Sequence, residues 1–130
     1  MSSDPVAELI ELTFPASSRF VRLSRMAVAT VAAELNFDVE AVDDVRIAVD
    51  ELVSLLVQQA EGATVTLAFR PTQDSLSVEG HCRGRQLASI DMPDLVEAIL
   101  SATTDHHQLD TSAEQRRFIF TKSRPDGAPR

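Results

Sequence analysis

One long amphipathic segment, residues 38–60, constrains the fold of this chain more than any other feature. Asp38 is a candidate N-cap for a helix across this segment, and Glu61-Gly62 is expected to end the helix near Ala60. Five apolar residues recur at helical spacing and predict the side that faces a core: Val42, Val45, Val49, Leu52 and Leu56. We expect this helix to be the main structural backing of a sheet.

The remaining elements follow from alternation, spacing and turn residues. A first helix is expected from near Arg19 to Leu35, capped by Ser17 or Ser18, with Leu23 in its apolar stripe. A third helix is expected over 93–103, with Pro93 in its first turn and Asp91 as a possible cap. Strands are predicted at 8–14, 64–70, 75–81 and 116–122, and more weakly in DHHQLDT.

This order of elements predicts an α+β fold, a two-layer sandwich with a mostly antiparallel sheet and helices on one face. The linker PTQD between the second and third strands is short enough for a β-hairpin. The 130 residues suit a single domain, with a core over about 8–122 and flexible ends at 1–7 and 123–130.

Composition narrows the classes of function. The net charge of −8 argues against direct binding of nucleic acid, which depends on clustered basic residues. No apolar run is long enough to span a membrane, and residues 1–11 lack the features of a secretion signal, so a cytoplasmic location is expected. Cys82 is the only cysteine, so the chain has no internal disulfide.

The stretch LNFDVEAVDDVRIAVDEL, residues 35–52, resembles the anti-sigma factor serine kinases of bacteria. Members from actinobacteria, linked to stress-response and sporulation sigma factors, are the most similar. The resemblance covers about residues 8–122. It implies the histidine kinase-like ATPase fold, also called the Bergerat fold.

The resemblance also locates an ATP site and shows how this chain departs from it. In the family, the helix carries a Glu, then an Asn four residues later that binds magnesium, and often a His four residues after that. Glu51 matches the Glu, Leu55 replaces the Asn, and Gln59 replaces the His. Magnesium requires oxygen ligands, and leucine has none.

Two further family elements are altered. An adenine-binding Asp in an Asp-x-Gly-x-Gly turn aligns with Cys82 of GHCRGRQ, which keeps Gly84. A thiol is a poor hydrogen-bond acceptor. The glycine-rich lid over the phosphates is shortened here, since no glycine lies between Gly84 and Pro93. We therefore expect Glu51, Leu55, Gln59, Cys82 and Gly84 to mark a vestigial ATP site with no catalytic residue and no cofactor.

Some alternatives stay open at these positions. ATP and magnesium would be needed only if the chain were an active serine kinase with a non-standard metal site, and weak nucleotide binding without turnover is a further option. Leu55 is expected in the core, or else lining a small apolar pocket. Glu51 is a remnant of the ATP site, a hydrogen-bond partner between helices, or a surface acid.

The family resemblance also implies a surface for a partner protein. Arg25 falls where the family carries an arginine that contacts the sigma factor, and Arg19 and Arg22 extend the basic stripe. A solvated helix face is the alternative. The expected function is regulation by partner switching, through a sigma factor, an anti-anti-sigma factor or both, with a homodimer through the first strand and helix. The alternatives are a working kinase that phosphorylates the antagonist and a fold relative with an unrelated partner.

Zinc binding or Cys-His catalysis by His81, Cys82, His106 and His107 is disfavoured. Their spacing lacks the paired pattern of known zinc sites. His81 and Cys82 are neighbours in a strand, so their side chains should point to opposite faces.

Overall fold

The computed structural model describes residues 8–85, 87–112 and 115–124. Its elements confirm the expected order of strands and helices. They are β1 (Ile10–Pro15), a 3-10 turn (Ser18–Phe20), α1 (Val21–Glu34), α2 (Val39–Val57), β2 (Thr64–Pro71), β3 (Ser75–Arg83), α3 (Asp94–Thr103), β4 (His106–Asp110) and β5 (Gln115–Ser123).

The five strands form one sheet in the order β1-β2-β3-β5-β4, and every neighbouring pair is antiparallel. The predicted hairpin joins β2 to β3, where Pro71 lies opposite Leu76. The chain leaves the sheet after β3, forms α3, and returns through β4 to β5, which inserts beside β3. The predicted α+β architecture is confirmed.

The sheet has one face covered by helices and one open face. Alternate residues of β2, β3 and β5 point towards the helices and are buried, among them Leu67, Val78 and Phe120. Helix α2 packs its predicted stripe on this face, with Val45, Val49, Leu52 and Leu56 fully buried. Both α1 and α3 pack against α2. The opposite face of the sheet carries polar side chains.

The buried face of α1 differs from the predicted one at Leu23. Val21, Ser24, Val28 and Ala32 are buried, whereas Leu23 is 41% exposed, so its assignment to the core stripe is wrong. A 3-10 turn precedes Val21, so the α-helix starts later than expected. Ser24 tolerates burial because its hydroxyl donates to the carbonyl oxygen of Val21 at 2.6 Å.

The helix caps follow the sequence in part. Asp38 caps α2 as predicted, since its carboxylate accepts a hydrogen bond from the Ala41 N–H at 2.8 Å. Ser17 caps the 3-10 turn through the Arg19 N–H at 3.2 Å. The predicted Asp91 cap of α3 is wrong: Pro93 occupies the cap position, and no side chain bonds there.

The ends of two elements also differ from expectation. Helix α2 ends at Val57, before the expected Ala60. Strand β5 continues to Ser123, whose N–H donates to the Asp105 carboxylate at 2.7 Å, so the prediction of flexibility is wrong at residue 123. Residues 1–7 and 125–130, also predicted to be flexible, lie outside the described residues.

Candidate functional site

Helix α2 brings together only part of the predicted ATP-site series. Glu51 and Leu55 share a side of the helix, with Glu51 half-buried and Leu55 only 3% exposed. Gln59 lies beyond the helix end, exposed and with φ of 48°, so its predicted place on that side is wrong. A residue with left-handed φ ends the helical repeat that would have aligned it with Leu55. Leu55 is a core residue, as expected.

The other two predicted positions lie at the end of β3. Cys82 is fully buried on the helix-facing side, and burial raises the pKa of its thiol, opposed by the nearby Arg116 cation. Gly84 follows the strand and is exposed. A Cβ on Gly84 would lie 2.6 Å from the Cβ of Ala63, so a larger residue would push the loop away.

Arg116 is the residue that the sequence reasoning missed. It lies opposite Cys82 on β5 and is fully buried. Its Nη1 donates to the carbonyl oxygen of Leu56 at 2.9 Å and to that of Gln58, and its Nη2 donates to the carbonyl oxygen of Ala88 at 2.7 Å. This one guanidinium therefore joins β5 to the end of α2 and to the loop before α3.

A sequence signal for Arg116 did exist. In the predicted strand RRFIFTK, alternation places Arg116 on the same face as Phe118 and Phe120. Both phenylalanines are buried, with rings stacked at 6.3 Å between centroids. An arginine in phase with core residues indicates a buried cation that needs acceptors, although alternation cannot say which ones.

The residues at the family's ATP-site positions do not fit magnesium-ATP. The Leu55 side chain offers no oxygen and is packed in the core. Cys82 is a thiol at the position where the resemblance implies an adenine-binding carboxylate, and it lies beside a buried cation. The cavity near the end of α2 has Ser54, Gln58 and Arg85 in its lining, and not Glu51, Leu55 or Cys82.

The three predicted partner-binding arginines have distinct surroundings. The Arg19 guanidinium lies over the Phe20 ring, 5.5 Å from its centroid. Arg25 Nε lies 3.4 Å from an Asp50 carboxylate oxygen on α2, and both side chains are more than one third exposed. Arg22 lies beside Arg25 in a shallow surface depression, which extends to Met26, Ala29 and Arg46.

This surface is mixed in character. Met26 is 60% exposed, and Ile47 of α2 is 43% exposed next to Arg46. Arg46 also pairs with Asp43 at 3.1 Å. We call the residues Arg22, Arg25, Met26, Arg46 and Ile47 the α1–α2 surface. It combines three arginines, of which Arg25 and Arg46 pair with Asp50 and Asp43, with two exposed apolar side chains in a protein whose net charge is −8.

The histidines and Cys82 are separated as expected. Cys82 faces the helices, whereas His81 lies half-buried on the open face of the sheet, where Gln115 Nε2 lies 2.9 Å from its Nε2. His107 contacts Glu97 at 3.0 Å and Thr104 at 3.3 Å, joining β4 to α3. Within the part of the chain that the structure describes, no three potential metal ligands cluster.

Comparison with known proteins identifies relatives of this chain. No family model matches it. Serine-protein kinase RsbW of Halalkalibacterium halodurans is 36% identical over 73 residues, which cover 55% of this chain and 45% of the relative. Serine-protein kinase RsbW of Listeria innocua is 32% identical over 73 residues, covering 53% of this chain and 46% of the relative.

The chain is related to the RsbW serine-protein kinases. The resemblance to the anti-sigma factor serine kinase family is thereby confirmed. The matched region spans less than half the length of these curated RsbW relatives.

A solved structure supports the fold assignment over nearly the whole chain. The structure containing the RsbU and RsbW domains of a Mycobacterium tuberculosis protein superposes with a TM-score of 0.67 at 20% identity. The match covers 91% of this RsbW-related chain and 33% of that chain. The expected histidine kinase-like ATPase fold is confirmed. None of the helices within the described ranges is long and apolar enough to cross a bilayer.

Proposed function

We propose that this chain is an anti-sigma-factor-like regulator in a bacterial partner-switching system, without kinase activity. It would act in the cytoplasm by binding a sigma factor, an anti-anti-sigma factor or both. The relation to the RsbW kinases supports the class of regulator. The observation that carries the loss of kinase activity is the buried Leu55 at the position where the family has its magnesium-binding asparagine.

Nucleotide binding separates this proposal from its alternative, an active kinase that phosphorylates a serine of the antagonist. The purified chain is titrated with a fluorescent ATP analogue and magnesium, with the Halalkalibacterium RsbW as a positive control. We expect saturation for the control and no saturation at micromolar concentrations for this chain. Saturable binding together with phosphate transfer to an antagonist would establish the kinase alternative instead.

The α1–α2 surface supports an acidic partner. Arg22, Arg25 and Arg46 present guanidinium groups that pair with carboxylates through two parallel hydrogen bonds. Met26 and Ile47 add apolar area beside them, the combination found at the centre of many interfaces. We propose that an acidic helical segment of the sigma factor binds here, with Arg19 at the margin.

A charge reversal tests this surface, and the chain offers a matched control. Arg25→Glu places a second carboxylate beside Asp50, 3.4 Å away in the native pair. Arg70→Glu does the same beside Glu79, where the native pair is separated by 3.8 Å on the open face of the sheet. Both changes lose a surface ion pair of similar exposure, so their effects on folding should be similar and small.

Partners are first captured with the native chain from a lysate of the source bacterium and identified by mass spectrometry. We expect Arg25→Glu to lose the sigma factor and Arg70→Glu to retain it, with melting temperatures within a few degrees of the native value. Undiminished binding by Arg25→Glu would show that the contact surface lies elsewhere. Capture of a protein unrelated to sigma regulation would contradict the proposed class of partner.

A homodimer through the first strand and helix is also part of this proposal. Strand β1 is an edge of the sheet, hydrogen-bonded to β2 on one side, with Leu9 48% and Ile10 40% exposed nearby. Ile10→Lys should convert a dimer to a monomer in sedimentation equilibrium. Leu95→Lys on α3, where the native leucine is 71% exposed, is the control and should leave the dimer intact. A monomeric native chain would exclude this interface.

A further inference from the structure

We propose that Arg116 holds the loop between β3 and α3 closed against the end of α2, without any ligand. We call its hydrogen bonds to the loop and to the helix end the clasp. The part of the loop that Arg116 holds comprises residues 87–93. The inference stands on the contacts of Arg116 and goes beyond the proposed partner binding.

The clasp has one contact on the loop and three at the end of α2, the longest being from Nη1 to the carbonyl oxygen of Leu55 at 3.5 Å. Arg116 Nη2 donates to the carbonyl oxygen of Ala88 at 2.7 Å. Its Nη1 donates to the carbonyl oxygens of Leu56, at 2.9 Å, and Gln58. The planar guanidinium fork can serve these separate acceptors at once, which a lysine ammonium on a flexible stem does less well.

The charge balance explains why the cation is tolerated in the interior. Arg116 is fully buried, and its hydrogen bonds run to backbone carbonyls rather than to a carboxylate. Carbonyls in the last turn of a helix lack helical partners and carry the negative end of the helix dipole. The end of α2 therefore supplies the compensating charge, and the guanidinium is held at one place.

Apolar burial reinforces the hydrogen bond to the loop. Leu87 is 3% exposed and Ile90 is 8% exposed, so both loop residues flanking Ala88 belong to the core. Opening the loop would break a charge-assisted hydrogen bond and expose two apolar side chains together. We infer that the loop opens only when the domain unfolds, rather than as an independent lid.

Cys82 is a native reporter of this opening. It is the only cysteine of the chain, it is fully buried, and it lies opposite Arg116 on the same face of the sheet. Its reaction with a small disulfide reagent is followed in increasing urea. In the native chain the reaction should require global unfolding, so its rate should rise with urea as steeply as the unfolding equilibrium.

Arg116→Met removes the clasp, and Arg117→Met is the matched control on the exposed, opposite face of β5. Without urea, we expect Cys82 to react about tenfold faster or more in Arg116→Met, with little dependence on low urea. Arg117→Met should react like the native chain. Trypsin should cut after Arg85 in Arg116→Met well before it cuts the native chain there, which locates the opening in the loop.

A folded Arg116→Met variant with the native Cys82 rate would overturn the proposal. If that variant does not fold, Arg116→Lys, which keeps the charge but lacks the fork, should show the same acceleration. The native chain alone also tests whether the loop opens without unfolding of the domain. A rate of Cys82 labelling that does not depend on urea would mean that the loop opens by itself. That result would refute the clasp.

Discussion

Arg116 Nη1 donates to the carbonyl oxygen of Leu56 at 2.9 Å, a hydrogen bond between residues that are 60 positions apart in sequence. The contact ties the start of β5 to the last turn of α2. It also lies where the helix stops, since α2 ends at Val57 and Gln58 is extended. A side chain of β5 thus satisfies carbonyls that the helix itself leaves without partners.

The first prediction concerns the stability that this contact provides. Arg116→Met leaves the carbonyls of Leu56, Gln58 and Ala88 without their donor. Leu56 is buried, and an unsatisfied buried group costs about 1–3 kcal/mol. We expect the free energy of unfolding, measured in urea, to fall by about 1–3 kcal/mol. Arg117→Met, on the exposed face, should change it by no more than about 0.5 kcal/mol. Equal effects of the two changes would contradict this assignment.

Leu55→Asn would introduce the residue that the family resemblance implies at this position, and it would remove an apolar side chain from the core. Leu55 is 3% exposed, so the amide would be buried where a hydrocarbon packs. We expect a loss of roughly 2–4 kcal/mol in the free energy of unfolding. Ser54→Asn, at an exposed neighbouring position, is the control and should be nearly neutral. If Leu55→Asn were also neutral, Leu55 would have to border an open groove.

At Gly80, β3 lies so close to the Phe118 ring of β5 that no room is left for a side chain. A Cβ at Gly80 would lie 2.2 Å from the Phe118 ring, which is itself buried at 3% exposure. Gly80→Ala should therefore cost about 1–3 kcal/mol through overpacking. In the double variant Gly80→Ala with Phe118→Leu, the loss in free energy of unfolding should be smaller than the sum of the losses in the two single variants. The smaller side chain at position 118 leaves room for the added methyl group. Strict additivity in urea denaturation would rule out the clash.

Asp38 stabilises the start of α2 through its bond to the Ala41 N–H at 2.8 Å. Asp38→Ala should lower the free energy of unfolding by about 1 kcal/mol, as expected for loss of an N-cap. Asp43→Ala is the control, since Asp43 makes an exposed ion pair with Arg46 at 3.1 Å and such pairs contribute little. The two variants are compared by thermal or urea unfolding. Equal destabilisation would contradict the role of Asp38 as the N-cap of α2.

His81 makes stability depend on pH in a known direction. Burial lowers its pKa first, and the cations of Arg83 and Arg117 lower it further. The unfolded chain therefore binds a proton at a higher pH than the folded chain, so this stabilisation is present above about pH 6.5 and is lost as pH falls through the lowered value. Urea unfolding from pH 7.5 to 5 should show a smaller decline for His81→Gln than for the native chain. Parallel declines would exclude His81 as the cause.

The elements that the sequence predicts well are those governed by local periodicity. The stripe from Val45 to Leu56 is buried as its spacing indicates, because the helical repeat alone selects those positions. Alternation likewise separates His81 from Cys82, and the short PTQD linker leads to a hairpin. Leu55 as a core residue follows from the same repeat. These results need only the backbone geometry of one helix or one strand.

The errors occur where a neighbouring segment competes with the local pattern. Gln59 was expected on the helix and lies beyond it, and Leu23 was expected inside and is exposed. Each outcome depends on which segments pack together, and spacing within one element carries no information about that.

The sequence by itself determined the order of elements, the inward face of α2 and the place of Leu55 in the core. Only the tertiary structure decided where α2 ends and what Arg116 binds. The physical reason is that the acceptors of Arg116 are backbone carbonyls of Leu56, Gln58 and Ala88. Every residue has such a carbonyl, so residue types do not mark the partners of a buried cation, and packing alone selects them.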